Sequence, residues 1–207
     1  VLESLMADHE VNTGRRRFLT TTTAVVGAIG AGFAAVPFIT SFKPSARAQT
    51  AGAPVTVTIA KLDNEPNMRI IQVWRGKPVW IFKRTPEQLA MLPKVDAQLA
   101  DPKSQRKPDE LTPEYARNEG RSIKPELLVV VGICTHLGCS PSDKFQPGAQ
   151  PSLPDDWAGG FLCPCHGSTF DMAGRVYKNK PAPDNLEVPP HTYLSETRLL
   201  IGDDKKA

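Results

Sequence analysis

Cys134-Thr135-His136-Leu137-Gly138-Cys139 and Cys163-Pro164-Cys165-His166-Gly167-Ser168 hold all four cysteines of the chain and two of its four histidines. The boxes read C-x-H-x-x-C and C-x-C-H, and 23 residues, 140 to 162, separate them. Thiols and imidazoles set this close suggest a metal, because a tight turn aims two side chains at one centre at low entropic cost. Three kinds of site are open at this point. One is a centre fed by both boxes. Another is structural zinc, built from two Cys and two His or from four Cys; its usual spacings are not met here in combination, and six potential ligands exceed a closed tetrahedral site. The third, a C-x-C thiol redox pair, makes no use of the histidines.

C-T-H-L-G-C and C-P-C-H-G-S resemble the two cluster-binding boxes of the Rieske [2Fe–2S] proteins. The resemblance implies one [2Fe–2S] cluster per chain, with Cys134 and Cys163 on one iron and His136 and His166 on the other. It also implies a disulfide between Cys139 and Cys165. Two neutral imidazoles in place of two thiolates make such a centre easier to reduce, at about −150 to +300 mV against about −400 mV for plant-type ferredoxins. Each ligating imidazole keeps a second ring N–H that can face solvent or substrate, which links electron and proton transfer. By the same resemblance, Ser168 stands where a Ser donates to a bridging sulfide. Phe170 stands where high-potential members carry Tyr, and Leu137 matches the residue that packs over the exposed cluster edge and meets quinone. Lys180-Pro181-Ala182-Pro183 resembles the proline loop, usually G-P-A-P, that covers the cluster's third side, with Lys180 in place of the Gly.

The chain has 207 residues, room for one ordinary domain plus accessories, and its 20 prolines imply many loops and turns. Its net charge is +3; five basic and three acidic residues precede Pro54, and 20 and 19 follow from there on. The larger part is nearly neutral, which argues against a nucleic-acid surface. The disulfide that the resemblance implies needs an oxidising compartment.

The amino-terminal residues address that need. Residues 1–14 are polar and unpatterned, with Met6 as a candidate start, and we expect them to be disordered. Arg15-Arg16-Arg17-Phe18-Leu19 resembles a twin-arginine export signal, with Gly14 and Thr20 departing from the common pattern. Phe18 to Phe42 is a run of 25 residues without charge. As a helix it would be about 37 Å long, enough to span a bilayer core of about 30 Å. Gly27, Ala28, Ala31 and Gly32 would let a neighbouring helix approach, and Pro37 would kink the far end. Arginines ahead of the span put the amino terminus in the cytoplasm. Ala46-Arg47-Ala48 resembles a signal-peptidase site; we read the segment nonetheless as an uncleaved anchor. The organisation expected is a cytoplasmic segment 1–17, a transmembrane helix 18–42, a flexible hinge 43–53 of linker composition, and a head 54–207 with a cluster-binding subdomain at about 132–183.

The head reads as all-β, an antiparallel Rieske-type architecture. Val55 to Ile59 is a β-branched run, and Arg69–Trp74 and Pro78–Phe82 flank a hairpin turn at Arg75-Gly76-Lys77. Trp74 and Trp80 are expected in the core. Thr85-Pro86-Glu87-Gln88 carries a capping box. Residues 96–125 read as a polar surface insertion with a helical turn or two near Thr112 to Asn118. Leu127 to Ile133 and Gly160 to Leu162 are strands that run into Cys134 and Cys163. Tyr177, Leu186 and Tyr193 to Ile201 continue the sheet, and Lys205-Lys206 is a frayed tail. His9 and His191, outside the boxes, are given surface or structural roles.

The layout of anchor, hinge and head resembles the respiratory, cytochrome bc1 branch of the Rieske family. That implies a one-electron carrier subunit of a quinol–cytochrome c oxidoreductase, not a complete enzyme alone. Quinol would hydrogen-bond His166, cytochrome b and cytochrome c1 would be partners in a dimeric complex, and the head would lie in the periplasm of a bacterial inner membrane. The rival is the Rieske subunit of a periplasmic molybdenum oxidase of the arsenite oxidase type, which also uses twin-arginine export.

Overall fold

The computed structural model describes residues 12–46, 48, 52–63 and 67–205, with the side chains of residues 108 and 109 excepted. Met6, His9, Arg47 and Lys206 lie outside these residues, as does part of the expected hinge. The chain divides into two units, Val1–Gln49 and Thr50–Ala207.

The long helix of the first unit is α1, Thr13–Ser41. It begins ahead of the uncharged run because Asn12 caps it: the Asn12 side chain accepts from the Arg15 N–H at 3.0 Å. The three arginines therefore lie inside the first turns, and residues 12–14 are ordered as a cap and helix start. Pro37 lies within the helix, and the Thr40 hydroxyl donates to its carbonyl at 3.0 Å. At 29 residues the helix is about 43 Å long. By length and apolarity it can cross a membrane.

The second unit is all-β at its centre. Among the described residues, nine strands form three antiparallel three-stranded sheets: β1 (Val55–Thr58), β9 (Arg198–Ile201) and β8 (His191–Ser195); β2 (Arg69–Trp74), β3 (Lys77–Lys83) and β4 (Leu127–Val131); β5 (Ser142–Lys144), β6 (Gly160–Leu162) and β7 (Thr169–Asp171). The β2–β4 sheet is the middle layer. Val79 and Ile81 of β3 with Val129 and Val131 of β4 face one core, shared with Val57, Leu199 and Ile201. The alternate residues Trp80, Phe82, Leu128 and Val130 face a second core with Phe161, Phe170, Met172 and both free cysteines. Burial on both faces explains why KPVWIFK and LLVVV are continuous apolar runs and not alternating ones. Trp74 and Trp80 are buried, as the sequence implied.

Local signals act where the sequence places them. In the β2–β3 hairpin Trp74 pairs with Lys77, so the turn is Arg75-Gly76 alone, one residue shorter than expected, with φ of +50° and +73°. Positive φ at both positions is the two-residue turn that matches strand twist. Helix α2 (Pro86–Met91) has the reciprocal Thr85–Gln88 capping box. Leu186, expected in a strand, lies outside any strand, its N–H bonded to the Gly174 carbonyl, and Tyr177 makes only an isolated bridge to Leu99.

The polar stretch 96–125 contains only short helical pieces, among them α3 (Pro108–Leu111) and a 3-10 turn at Glu114–Ala116. It is not a solvated excursion. Leu99, Asp101, Ser104, Thr112, Ala116, Arg121 and Ser122 are all buried. Its polarity is used inward: fully buried Arg121 donates to Thr112 Oγ1 and to the carbonyls of Ala173, Gly174 and Leu186.

Candidate metal centre

Buried strand β4 leads through Gly132 and Ile133 into the first box, and β6 runs straight into the second, which is the loop of the β6–β7 hairpin. Gly132 is obligatory for packing: a Cβ there would fall 2.0 Å from the Trp80 ring. Rigid strands behind both boxes fix where the ligand loops start.

The two boxes are the same turn built twice. The Cys134 N–H donates to the Cys139 carbonyl at 2.7 Å, and Gly138 returns a bond to the Cys134 carbonyl at 3.1 Å. In the second box Cys163 donates to the Ser168 carbonyl at 2.7 Å, and Gly167 to the Cys163 carbonyl at 3.0 Å. Gly138 and Gly167, fifth in each box, sit at φ of +84° and +74°, a conformation that favours glycine. The turns place Cys134 and Cys163 in the core, both as free thiols with 2% exposure. His136 is half-buried, whereas Leu137 and His166 are exposed, Leu137 by 71%. The imidazoles stand edge to face with ring centroids 4.8 Å apart.

Cys139 and Cys165 form a disulfide, S–S 2.07 Å, that ties the turns together. The Cys163 sulfur lies within 4.8 Å of both disulfide sulfurs. Those three sulfurs are not a ligand set, since two of them are spent in the covalent bond. The free donors are two thiols and two imidazoles. Cys163 and Ser168 are the side chains that act on the Cys134 thiol. Burial raises the Cys134 pKa above the ordinary thiol value, so its thiolate needs a cation beside it. Two dry, adjacent thiols and two adjacent, wetter imidazoles fit a metal centre that spans both boxes.

The loop 180–183 and the residue after it are tied to both boxes. Pro181 is exposed and Ala182 buried; the Ala182 N–H donates to Ser168 Oγ at 3.0 Å, and Thr135 Oγ1 donates to the Asp184 carbonyl at 2.6 Å. Phe170 is fully buried in the core that contains Cys134 and Cys163. All ten residues singled out in the sequence thus gather at one end of the second unit's core. Thr135 and Asp184 were missed; Thr135 lies between two box residues, but nothing in the spacing marks a partner 49 positions away. His191 is structural: it is buried, and its Nδ1 lies 2.8 Å from the Pro189 carbonyl.

Comparison with known proteins agrees with the geometry. Residues 5–45 match the family described as "Ubiquitinol-cytochrome C reductase Fe-S subunit TAT signal". Residues 115–190 match the Rieske [2Fe-2S] domain. The chain is 55% identical to the ubiquinol-cytochrome c reductase iron-sulfur subunit of Allochromatium vinosum, over 97% of this chain and 94% of that one. Identity is 41% with the subunit of the same name from Blastochloris viridis, over 91% and 92% of the two chains. For that of Bradyrhizobium diazoefficiens it is 39%, over 95% and 97%.

Proposed function

The chain belongs to the ubiquinol–cytochrome c reductase iron–sulfur subunits, and from that premise we propose that it is the one-electron carrier of such a complex, taking an electron and a proton from quinol and passing the electron to cytochrome c1. The observation that carries this reading is the pairing of two buried free thiols with two adjacent imidazoles, one of them exposed beside exposed Leu137. A Rieske [2Fe–2S] group supplies one-electron chemistry at a potential high enough to accept from quinol.

The residues divide the work. Cys134 and Cys163 would hold one iron as thiolates, and His136 and His166 the other through one ring nitrogen each. The exposed His166 ring keeps its second nitrogen for quinol, so it is the group that accepts a hydrogen bond or carries the proton away. Leu137 offers the apolar surface against which a quinol ring packs. Ser168, buried and bonded by Ala182, donates toward sulfur and favours the more negative, reduced state. Phe170 has no hydroxyl to add to this, which sets the potential below that of a Tyr-bearing relative. Pro181 shields the third side, and the Cys139–Cys165 disulfide holds the two turns in register.

Helix α1 serves as a single-pass anchor, with Arg15–Arg17 on the cytoplasmic side of a bacterial inner membrane and the head in the periplasm. The stretch 43–53 acts as the hinge between the span at about 18–42 and the head 54–207. Cytochrome b would dock at the tip and take quinol's second electron, a division that would conserve energy as a proton gradient, and the complex would be dimeric. The molybdenum-oxidase alternative is not favoured, because the full-length relatives named above are reductase subunits.

Purification from membranes tests the proposal. We expect a Rieske-type EPR signal, b- and c-type cytochromes in the same fraction, and quinol–cytochrome c reductase activity. A cluster-bearing chain that purifies from native membranes with a molybdenum subunit and no cytochromes would overturn it.

A further inference from the structure

The loop that shields the centre cannot hold itself. Pro181 and Pro183 have no N–H to donate, so Ala182 carries the one amide between 181 and 183. No strand ladder includes the segment. Its position must come from tethers supplied by other parts of the chain. Two come from the boxes, Ser168 Oγ to the Ala182 N–H and Thr135 Oγ1 to the Asp184 carbonyl. Two more come from 174–176, where the Val176 N–H donates to Asn185 Oδ1 at 2.8 Å and the Leu186 N–H to the Gly174 carbonyl at 2.9 Å, and the rest come from the polar stretch 96–125.

There, Asp101 builds a turn. Its two carboxylate oxygens accept the N–H groups of Gln105 and Arg106, each at 2.9 Å. Ser104 and Lys107 both take left-handed backbone, φ +51° and +45°, which is costly for residues with a Cβ and persists only where surroundings enforce it. The Asn185 amide stitches the turn to the loop, donating to the Asp101 carbonyl at 2.9 Å and to Ser104 Oγ at 3.0 Å. The turn presents two cations to the loop. Arg106 Nη1 donates to the Pro183 carbonyl at 3.0 Å, and Lys107 Nζ meets the Asp184 carboxylate at 2.9 Å. The Asp184 side chain is only 10% exposed, so Lys107 compensates a carboxylate already largely removed from water.

We propose that the turn Asp101–Lys107 is a clamp on the loop beside the metal centre, in which Arg106 and Lys107 are positioning residues acting through Pro183 and Asp184 on Ala182 and Thr135. The polar stretch thereby has a function toward the site. The inference rests on the reading of the site as a cluster centre.

The test uses the full chain, purified in detergent with its cluster, in a comparison of wild type, Lys107→Gln, the double variant Arg106→Met/Lys107→Met and the conservative double variant Arg106→Lys/Lys107→Arg. Hydrogen–deuterium exchange is followed by mass spectrometry in a peptide covering 180–186, with a β4 peptide as control. Loss of a half-exposed ion pair should speed exchange of the loop about two- to fivefold, and the Met double variant about tenfold or more, with β4 unchanged. The conservative variant should return to the wild-type rate. Added salt should speed the loop in wild type and not in Lys107→Gln. Iron release to a chelator should accelerate in the same order. Loop exchange unchanged in the Met variant, or accelerated equally by the conservative one, overturns the clamp while the wild-type EPR signal still supports the centre. Absence of that signal from reconstituted wild type overturns the centre itself. Should the Met variant also loosen β4, Lys107→Gln alone decides, since an exposed side chain is all it alters.

Discussion

The disulfide should be the largest single covalent contribution to the head's stability. Cys139 and Cys165 are 26 positions apart. Closing a loop of that length removes about 12 cal/mol/K from the unfolded chain, or about 3.5 kcal/mol at 25 °C. That is a large fraction of the 5–15 kcal/mol typical of a domain. The double variant Cys139→Ser/Cys165→Ser removes the bond, and serine suits both sites because one is half-buried and the other exposed. Guanidinium unfolding of metal-free full chain, followed by tryptophan fluorescence, reports the change, because Trp74, Trp80 and Trp157 are all buried in the second unit. Metal-free protein is the right sample, since ligation would cross-link the boxes a second time. We expect the midpoint to fall by the equivalent of about 3 kcal/mol, with an equal fall in wild type treated with reductant. A loss below about 1 kcal/mol would show that the denatured chain keeps the two boxes together without the bond, and would refute the entropic account.

Phe170→Tyr should raise the midpoint potential. One hydrogen bond worth about 1 kcal/mol more to the reduced state corresponds to about 40 mV for one electron, to be read by EPR-monitored titration; no rise would contradict the role given to this position. Burial lowers the His191 pKa in the fold, with its bond to the Pro189 carbonyl opposing the shift. The folded state thus resists protonation, and the stability that neutral His191 permits is complete above about pH 6.5 and declines as pH falls below it. His191→Gln should flatten the fall in melting temperature between about pH 7 and pH 5 relative to wild type, and an unchanged slope would remove His191 from the acid response. Gly132→Ala should cost about 2 kcal/mol or more through collision with Trp80, measurable by denaturant unfolding; a neutral result would mean that β4 can shift without disturbing the first box.

The parts of the fold legible from the sequence are those whose causes are local. A capping box needs only Thr85 and Gln88, a tight hairpin only residues free to take positive φ, and the doubly buried strands declare themselves by unbroken apolar runs. The ligand boxes are legible for the same reason, as each packs its donors into six residues. What stayed hidden is carried by polar side chains that bond backbone far away in the chain. Arg121 reaches Leu186 across 65 positions and Asn185 reaches Asp101 across 84. A buried arginine satisfied by carbonyls leaves no periodicity, so nothing in the solvated composition of 96–125 marks the part of it that turns inward. Leu186 misled in the opposite sense: its burial is real, but it lies outside any strand, in a segment held by scattered backbone bonds to Gly174, Val131 and Leu111 and by the Arg121 side chain.

The near-identity of the two turns bears on which histidine meets the substrate. Both place a cysteine first and a glycine fifth, with matching backbone bonds. The histidine is third in the first box and fourth in the second, and the linking cysteine is sixth in one and third in the other. Equal turns with unequal positions give unequal exposure: third-position His136 is half-buried, while the fourth position carries exposed Leu137 in one box and exposed His166 in the other. In the second box positions two to five are all exposed, so what the two fourth positions share is exposure with different chemistry, one apolar and one capable of proton exchange. A quinol needs both a surface for its ring and a hydrogen-bonding partner for its hydroxyl. The pairing of Leu137 with His166 follows from placing a single side chain at the same station of a repeated turn, and it supports our assignment of the proton to His166 over His136.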